Sequence, residues 1–576
     1  MTLLWLLACT DPAPGTTPFP ISNHVEDWRD EVIYQVLVDR FANGDVNNDL
    51  NVSHDPGELA RYLGGDYQGI LDHLDYLEQL GVTTLWISPV VVNVEEDAGG
   101  ASYHGYWAQD FLDVNPHFGD LAKLQELSDA LHARDMKLVV DIVVNHIGQL
   151  FYYDINRNGQ PDITTYYSTD GGDDEIIVSE WDPAWDARGI QGATSLGESG
   201  PAPIAWVNMP EINRTPPNPP ELGNDAWYNR KGRVTDWSDM DQVVLGDFPG
   251  GLKDLRTELP EVQDAMIDIY ASWIERANLD GFRIDTLKHV EHAFWQRFAP
   301  GIRDRAALIG KERFLMFGES FDGDDALNGS FTAPGEVDSV VHFAQKFQVY
   351  DAVFKYGGPT KNIETLHAQR DAHHGTTPQP RGAGQAPRDL LVNFLDNHDI
   401  PRFLFDQPSV PALQSALTFL MTQDGIPCIY YGTEQGFSGG NDPANREPLW
   451  PTGYATTGVL YRHLAALGAL RRELEPLRRG DFTLRWTTER TGDEEDAGIV
   501  AFERATDAER VLVVINTHDD HPSATSFAGQ DMPVGFPPGT VLREVFPGAA
   551  RTWTVSGEGR VRVEIGAREG IVAVPE

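Results

Sequence analysis

The chain has 576 residues, a net charge of −44 and 41% hydrophobic residues. The length calls for about two to four domains, and the hydrophobic share argues against disorder. So large a negative charge argues against nucleic acid or anionic membrane as a partner, whereas a neutral polymer meets no such repulsion.

In chain order, Leu3 to Ala8 is a short apolar run ending at Cys9. Leu6-Leu-Ala-Cys9 resembles a bacterial lipobox, and a Thr/Asp/Pro/Gly-rich spacer, Thr10 to Pro20, follows. Residues 1–24 therefore read as a signal and spacer, although no Lys or Arg precedes the apolar run. A lipid anchor at Cys9 is expected, with an extracytoplasmic protein, secreted or held on the bacterial envelope. The alternative is an ordinary cleaved signal. Cys428 lies inside an apolar strand pattern, so no internal disulfide is expected. No later segment has the roughly 18 apolar residues of a membrane span.

Eight strands are predicted: Val32–Val38, Thr83–Ile87, Lys137–Val144, Gly281–Ile284, Phe314–Phe317, Ser339–Phe343, Leu390–Phe394 and Ile426–Tyr430. Short continuous apolar runs suit parallel strands buried on both faces. Helical patterns over Ile70–Leu80, Leu121–Arg134, Val262–Ala277 and Leu413–Thr422 alternate with them. Eight such units imply an α/β fold, a (β/α)8 TIM barrel. The barrel is expected over 25–146 and 247–474. Between them, 147–246 is rich in Gly, Pro, Asp and Trp. It is too long for a structureless loop and reads as an inserted, β-poor domain. From 475 to 576, short alternating runs at Gly498–Arg504, Arg510–Asn516, Gly539–Val545 and Arg560–Ile565 predict a C-terminal antiparallel β-sandwich.

Four segments place acids, imidazoles or an arginine where buried strands should end. They are Asp141-Ile-Val-Val-Asn-His146, Gly281-Phe-Arg-Ile-Asp-Thr-Leu-Lys-His289, Phe317-Gly-Glu-Ser320 and Phe394-Leu-Asp-Asn-His-Asp399. Acids from several strand ends converge only at the C-terminal face of a parallel barrel. These segments resemble the four sequence regions of the α-amylase family of glycoside hydrolases. Gly81-Val-Thr-Thr-Leu-Trp-Ile-Ser-Pro89, Tyr103-His-Gly-Tyr-Trp107 and Gly425-Ile-Pro-Cys-Ile-Tyr-Tyr-Gly-Thr-Glu434 extend the resemblance to most of the chain.

The resemblance implies a catalytic set of Asp285 as nucleophile, Glu319 as general acid/base and Asp399 as the acid that grips sugar hydroxyls. Arg283, two residues before Asp285, shares its side of the strand and would keep that carboxylate ionised. Phe317 and Phe321 flank Glu319 and would raise its pKa. Substrate binding is assigned to His104, Tyr106, Asp141, His146, Arg283, Lys288 and His398, with Tyr106 stacking on a sugar and Asp141 supporting Arg283 and Tyr106. Thr286 and the Lys288-His289 pair match the α-1,4 pattern. The family also implies calcium. One interdomain site would use Asn145, Asp254 and the His289 carbonyl. A second, N-terminal site would use Asn43, Asp45, Asn48, Asp49, Gly64 and Asp66. Asp154-Ile-Asn-Arg-Asn-Gly-Gln-Pro-Asp162 spaces oxygens as in half an EF-hand loop, without the closing Glu. A third metal site and an Asx-rich turn both fit it.

The expected function is a retaining, endo-acting hydrolase of α-1,4-glucans, working as a monomer with no protein partner. Two alternatives stay open: a glucanotransferase and a non-catalytic glycan-binding homologue. The transferase subgroup has an aromatic acceptor residue shortly after the Lys-His pair and extra C-terminal domains. Here Val290-Glu-His-Ala293 fills that stretch, with Phe294 one residue late, and no further domain fits. A dead homologue typically loses one of the three acids, and all three are present.

Overall fold

The computed structural model describes residues 19–576, apart from 98, 154–165, 169–175, 179–203, 233, 235 and 249–250. Cys9 with its flanking segment, and the Asp154–Asp162 loop, lie outside the described residues.

Eight parallel strands form the barrel: β1 (Ile33–Val36), β2 (Thr84–Ile87), β3 (Lys137–Ile142), β4 (Gly281–Ile284), β5 (Leu315–Gly318), β6 (Ser339–Val340), β7 (Val392–Phe394) and β8 (Ile426–Tyr430). They pair in the order β6-β5-β4-β3-β2-β1-β8-β7. A parallel bridge between Val341 and Val392 brings the two ends together. Every residue of these strands is buried. That explains why their sequences run apolar instead of alternating.

The strand positions follow the sequence pattern with two instructive departures. The sixth strand, expected to reach Phe343, stops at Val340. The Phe343 N–H turns back to the Val341 carbonyl at 2.9 Å, and a helix begins there. The expected helix Ile70–Leu80 is two helices, α1 (Tyr67–Asp72) and α2 (Leu74–Leu80). They break at His73, whose ring contacts the Gly69 carbonyl at 2.8 Å. Asp66 caps α1 by accepting the Gly69 N–H at 2.6 Å. Helices α3 (Leu121–His132), α4 (Pro260–Ala277), α5 (His292–Leu308), α6 (Lys361–His373), α7 (Val410–Thr422) and α8 (Val459–Glu473) complete the main outer layer.

The excursion after β3 leaves and returns at one place. His146–Ile147 pairs antiparallel with Lys253–Asp254, so Asp254 faces His146 across the two strands. Between them, among the described residues, there are only short strands, 3-10 turns and a six-residue helix, Met240–Leu245. The excursion therefore opens at the C-terminal end of β3.

The C-terminal region is a six-stranded antiparallel sheet: β9 (Asp481–Trp486), β10 (Ile499–Ala505), β11 (Arg510–Asn516), β14 (Gly570–Pro575), β12 (Val541–Phe546) and β13 (Thr552–Thr554), in that spatial order. Small sheets cover one face and enclose a separate apolar core around Leu512, Val514, Met532 and Ile571. The expected strand at Arg560–Ile565 is two short pieces, because Val561 and Ile565 pair with different neighbours. Arg504 on β10 joins this sheet to the barrel, donating to the carbonyls of Thr422 and Leu477 at 2.9 Å each. Among the described residues, no helix is long and apolar enough to cross a membrane.

Candidate active site

Strand register brings the chemistry together. In the β3–β4 pairing, Asp141 lies opposite Arg283. The ladder continues one residue past the strands: Asp285 N–H donates to the Ile142 carbonyl at 2.9 Å, and Glu319 N–H to the Ile284 carbonyl at 2.8 Å. Two carboxylates are thus carried side by side on a rigid rim.

Arg283 is wholly buried and serves three acids. Its Nη1 donates to Asp141 Oδ1 at 2.9 Å and to Asp285 Oδ1 at 2.8 Å. Its Nη2 stands 2.8 Å from Glu319 Oε2. Glu319 Oε1 is buried without a hydrogen-bond partner of normal geometry. Tyr106 Oη and Trp86 Nε1 donate to Asp141 Oδ2 at 2.8 and 3.1 Å.

The third acid adds partners of its own while still facing Glu319 and Arg283. Asp399 is 3.1 Å from His398 Nε2 and 3.3 Å from Arg446 Nη2. Gln35 Nε2 reaches His398 Nδ1 at 2.7 Å. Tyr106 and His398 are parallel, with ring centroids 5.2 Å apart. Arg446 also bonds the His398 carbonyl and Tyr103 Oη.

Four carboxylates here face two guanidinium groups, and their proton affinities separate. Burial pushes Glu319 well above the ordinary glutamate range, outweighing Arg283, and Asp399 and Asp285 push the same way. Burial raises Asp285 and Asp141 too, each opposed by Arg283. Burial also pushes Asp399 up, but His398, Arg446 and Arg283 outweigh it and hold it below the usual range. Burial drives His146 to about 4 and His398 to about 3, so both imidazoles are neutral near pH 7. Glu319 is thus raised well above its ordinary range while Asp399 is held below its own, a divergence of the kind that separates acid and base roles in glycosidic chemistry.

These groups open into a cleft of about 640 Å³ lined by His104, Tyr106, His146, Asp285, Lys288, His289, Glu319, His398 and Asp399. Asp141 and Arg283, assigned to substrate from the sequence, lie beneath this lining and act on Tyr106 and the acids. Lys288 Nζ is turned to the Phe321 carbonyl at 2.6 Å and to Asp322 at 3.2 Å. Phe317 packs edge-on against Trp86, 5.5 Å between centroids. Phe321, 40% exposed, and Trp237, 50% exposed, line the cleft instead of covering Glu319. Phe294 is fully buried against Trp295 and Phe298 and cannot reach the cleft. His292 is held by Glu336 at 2.9 Å, outside the cleft lining. Thr286, next to Asp285, has φ 51°, a strained value for a β-branched residue.

Sequence reasoning missed Trp86, Gln35, Arg446, Trp237 and Phe248. The first three act through pairing between strands and loops far apart in sequence. Arg446 carries the one legible signal, since it ends the Gly- and Asn-rich loop after β8.

The two candidate calcium centres each contain an orphaned buried oxygen. Asp254 Oδ1 is buried without a partner, while Oδ2 accepts from Asn229 at 2.6 Å. Burial holds the Asp254 pKa well above the ordinary range, with Asp247, Glu291 and Glu258 adding to it. A carboxylate so placed calls for a cation. Asn145 is adjacent, its carbonyl accepting the Leu255 N–H at 2.9 Å. The His289 ring contacts the Val243 carbonyl of the excursion at 2.9 Å. In the N-terminal loop, Asn48 Oδ1 is the orphan. Gly64, at φ 95°, lets Asn43 and Asp49 crowd against the backbone, where a Cβ would clash at 2.6 Å from Asn43 Nδ2 and 2.8 Å from Asp49 Oδ1. Asp45 N–H donates to Asp66 at 2.8 Å. The residue types at both places are those a hard, oxygen-seeking ion takes. The orphaned Asp254 Oδ1 is the stronger observation, since Asp66 already accepts the Gly44, Asp45 and Gly69 N–H groups.

The barrel and its carboxylate set define a glycoside-hydrolase type of protein. The sequence model of the α-amylase catalytic domain matches residues 35–510, and the chain belongs to the α-amylase family. It is similar to α-amylase 1 of Lipomyces kononenkoae, 33% identical over 456 residues, which span 77% of this chain and 58% of that one. The chain thus spans less than two thirds of that relative's length. The solved α-amylase of Anoxybacillus has a TM-score of 0.72 and 27% identity, covering 96% of this chain and 99% of that one. The fold is also shared, at TM-score 0.70 and 24% identity, with a cyclomaltodextrin glucanotransferase of three-domain ABC distribution, covering 96% and 99% of the two chains.

Proposed function

We propose that this chain is a retaining, endo-acting hydrolase of α-1,4-glucosidic bonds in starch, glycogen or maltodextrins. The observation that carries the reading is one buried guanidinium, Arg283, touching both Asp285 and Glu319. Carboxylates on the same guanidinium favour the retaining separation of about 5–5.5 Å over the inverting one of about 6.5–9.5 Å. Glu319 protonates the glycosidic oxygen as Asp285 Oδ attacks the anomeric carbon, and the C–O bond to the leaving sugar breaks. Water then gives its proton to Glu319 and displaces Asp285. Asp399 and His398 hold ring hydroxyls, and Tyr106 offers an apolar ring face to the sugar.

Calcium belongs to the same reading. Asn145, Asp254 and the His289 carbonyl would hold one ion between excursion and barrel. Asn43, Asp45, Asn48, Asp49, Gly64 and Asp66 would hold another. Each would fix structure, not chemistry. An extracytoplasmic monomer, with Cys9 as its lipid-bearing residue, completes the proposal.

Glucanotransferase activity is the second reading. The three-domain relative removes domain count as an argument against it. Phe321 and Trp237 expose aromatic faces in the cleft where an acceptor sugar could stack. The buried Phe294 and the occupied His292 favour water instead. Time-resolved chromatography of soluble-starch digests decides. Linear maltooligosaccharides as the first products support hydrolysis, and cyclic glucans as the first products overturn it.

A further inference from the structure

Asp325, His342 and His374 bring a carboxylate oxygen and two imidazole nitrogens within 4.8 Å of one another. All three residues are buried, and none belongs to the site above. Asp325 opens the short helix in the loop after β5, His342 follows β6, and His374 follows the end of α6. His342 Nε2 and His374 Nε2 each lie 3.0 Å from the same oxygen, Asp325 Oδ1. His373 Nδ1 is 2.8 Å from Oδ2.

Hydrogen bonding around the cluster fixes one ring. Asn393 Nδ2 donates to the Asp424 carbonyl at 3.0 Å, so its Oδ1 faces His342 Nδ1 at 3.2 Å. An amide oxygen only accepts, so Nδ1 carries the ring proton. With that proton on Nδ1, Nε2 meets Asp325 either as the second N–H of a doubly protonated ring or through a lone pair that requires a cation between the two. His374 aims a second Nε2 at the same oxygen, and its own Nδ1 is buried with no partner. Donors placed about 2.0–2.1 Å from a tetrahedral ion are about 3.3 Å apart. The two nitrogen–oxygen separations are 3.0 Å, and with all three atoms within 4.8 Å of one another small side-chain rotations bring them to one ion.

We propose that Asp325, His342 and His374 bind one divalent first-row transition-metal ion of the Zn²⁺ kind. Two imidazoles and one carboxylate suit such an ion, whereas calcium takes six to eight oxygens. Asn393 is the outer partner that orients His342. His373, with 22% of its side chain exposed, marks the side of the cluster nearest solvent. The ion pins the loop after β5, which carries Phe321 and Asp322, to β6 and α6. It thereby fixes the cleft wall that receives Lys288.

The test uses the full chain, stripped by chelation and reloaded with excess Ca²⁺, then titrated with Co²⁺ and followed by its ligand-field absorption. One equivalent should bind and be displaced by Zn²⁺. Zn²⁺ should also raise the melting temperature beyond the calcium effect. His342→Gln and His374→Gln should each lose the one-equivalent signal while circular dichroism stays that of the parent. No stoichiometric Co²⁺ or Zn²⁺ binding by the parent chain would overturn the proposal and leave a hydrogen-bonded knot. Binding that survives in both variants would overturn it as well. If neither variant folds, the parent titration decides alone.

Discussion

Two buried clusters at the same end of the barrel are built on opposite charges. At the cleft, one guanidinium, Arg283, serves Asp141, Asp285 and Glu319. Behind the wall, one carboxylate, Asp325, serves His342, His373 and His374. In the first cluster the acids outnumber the cation, so burial and mutual repulsion raise their pKa values, Glu319 well above its ordinary range. In the second, the carboxylate is surrounded by groups that donate protons or bind metals, and it stays ionised. The contrast shows how burial alone does not decide chemistry: the sign of the shared group does.

The largest way to break this comparison is Asp285→Asn. It should lower kcat on maltooligosaccharides by about 10³-fold or more, with an unchanged circular dichroism spectrum. Substantial residual turnover would remove Asp285 from the nucleophile role.

Exchanging the central groups comes next. Arg283→Lys keeps a charge but not the fork, and leaves buried acids short of partners. It should cost about 3–5 kcal/mol in urea unfolding, together with most of the activity. Asp325→Asn should lower the melting temperature and raise KM through the loosened cleft wall, with a far smaller loss of kcat than Arg283→Lys causes. If both variants changed activity alike, the clusters would not be functionally distinct.

The pH profile sharpens the difference further. Asp285 must be ionised, so activity falls as pH drops through its raised pKa. Glu319 must be protonated, so activity falls as pH rises through its own, more strongly raised pKa. Both limbs should therefore lie above those of free carboxylic acids. Glu319→Gln should abolish the upper limb in the residual rate. An upper limb unchanged in that variant would count against the assignment.

Calcium removal has a smaller expected effect. An ion at a hundredfold excess over Kd stabilises the native state by about 2.7 kcal/mol. EDTA should lower the melting temperature, and proteolysis should then cut first within the excursion after β3. Unchanged melting, with no calcium by elemental analysis, would contradict the two oxygen sites. Smallest of all, Phe321→Ala should reduce any transfer products relative to hydrolysis while linear products persist.

The sequence made the barrel legible because its strands are short apolar runs that end in chemically distinctive residues. Asp285 and Glu319 were assigned because each ends such a run inside a segment that resembles the α-amylase family's. The partners of these acids could not be placed. Trp86 and Gln35 reach the site through strand register, which no local pattern encodes. The length of the sixth strand was misread because Phe343 looks like strand but starts a helix. His73 breaks a helix through a side-chain bond to the backbone, which helical periodicity does not reveal. The Asp325 cluster was invisible for a similar reason: its histidines lie 17 and 49 residues from the aspartate, and only folding brings them together. The sequence shows no aromatic at the acceptor position of the transferase subgroup, and in the fold His292 turns toward Glu336 while Phe294 is buried.

The most direct measurement of the central claim is proton NMR of the first product released from a maltooligosaccharide, taken before the anomers equilibrate. If Asp285 attacks and Glu319 donates its proton, the new reducing end appears first as the α-anomer and drifts toward the β-anomer. A β-anomer appearing first would mean a single displacement by water, and would contradict the account.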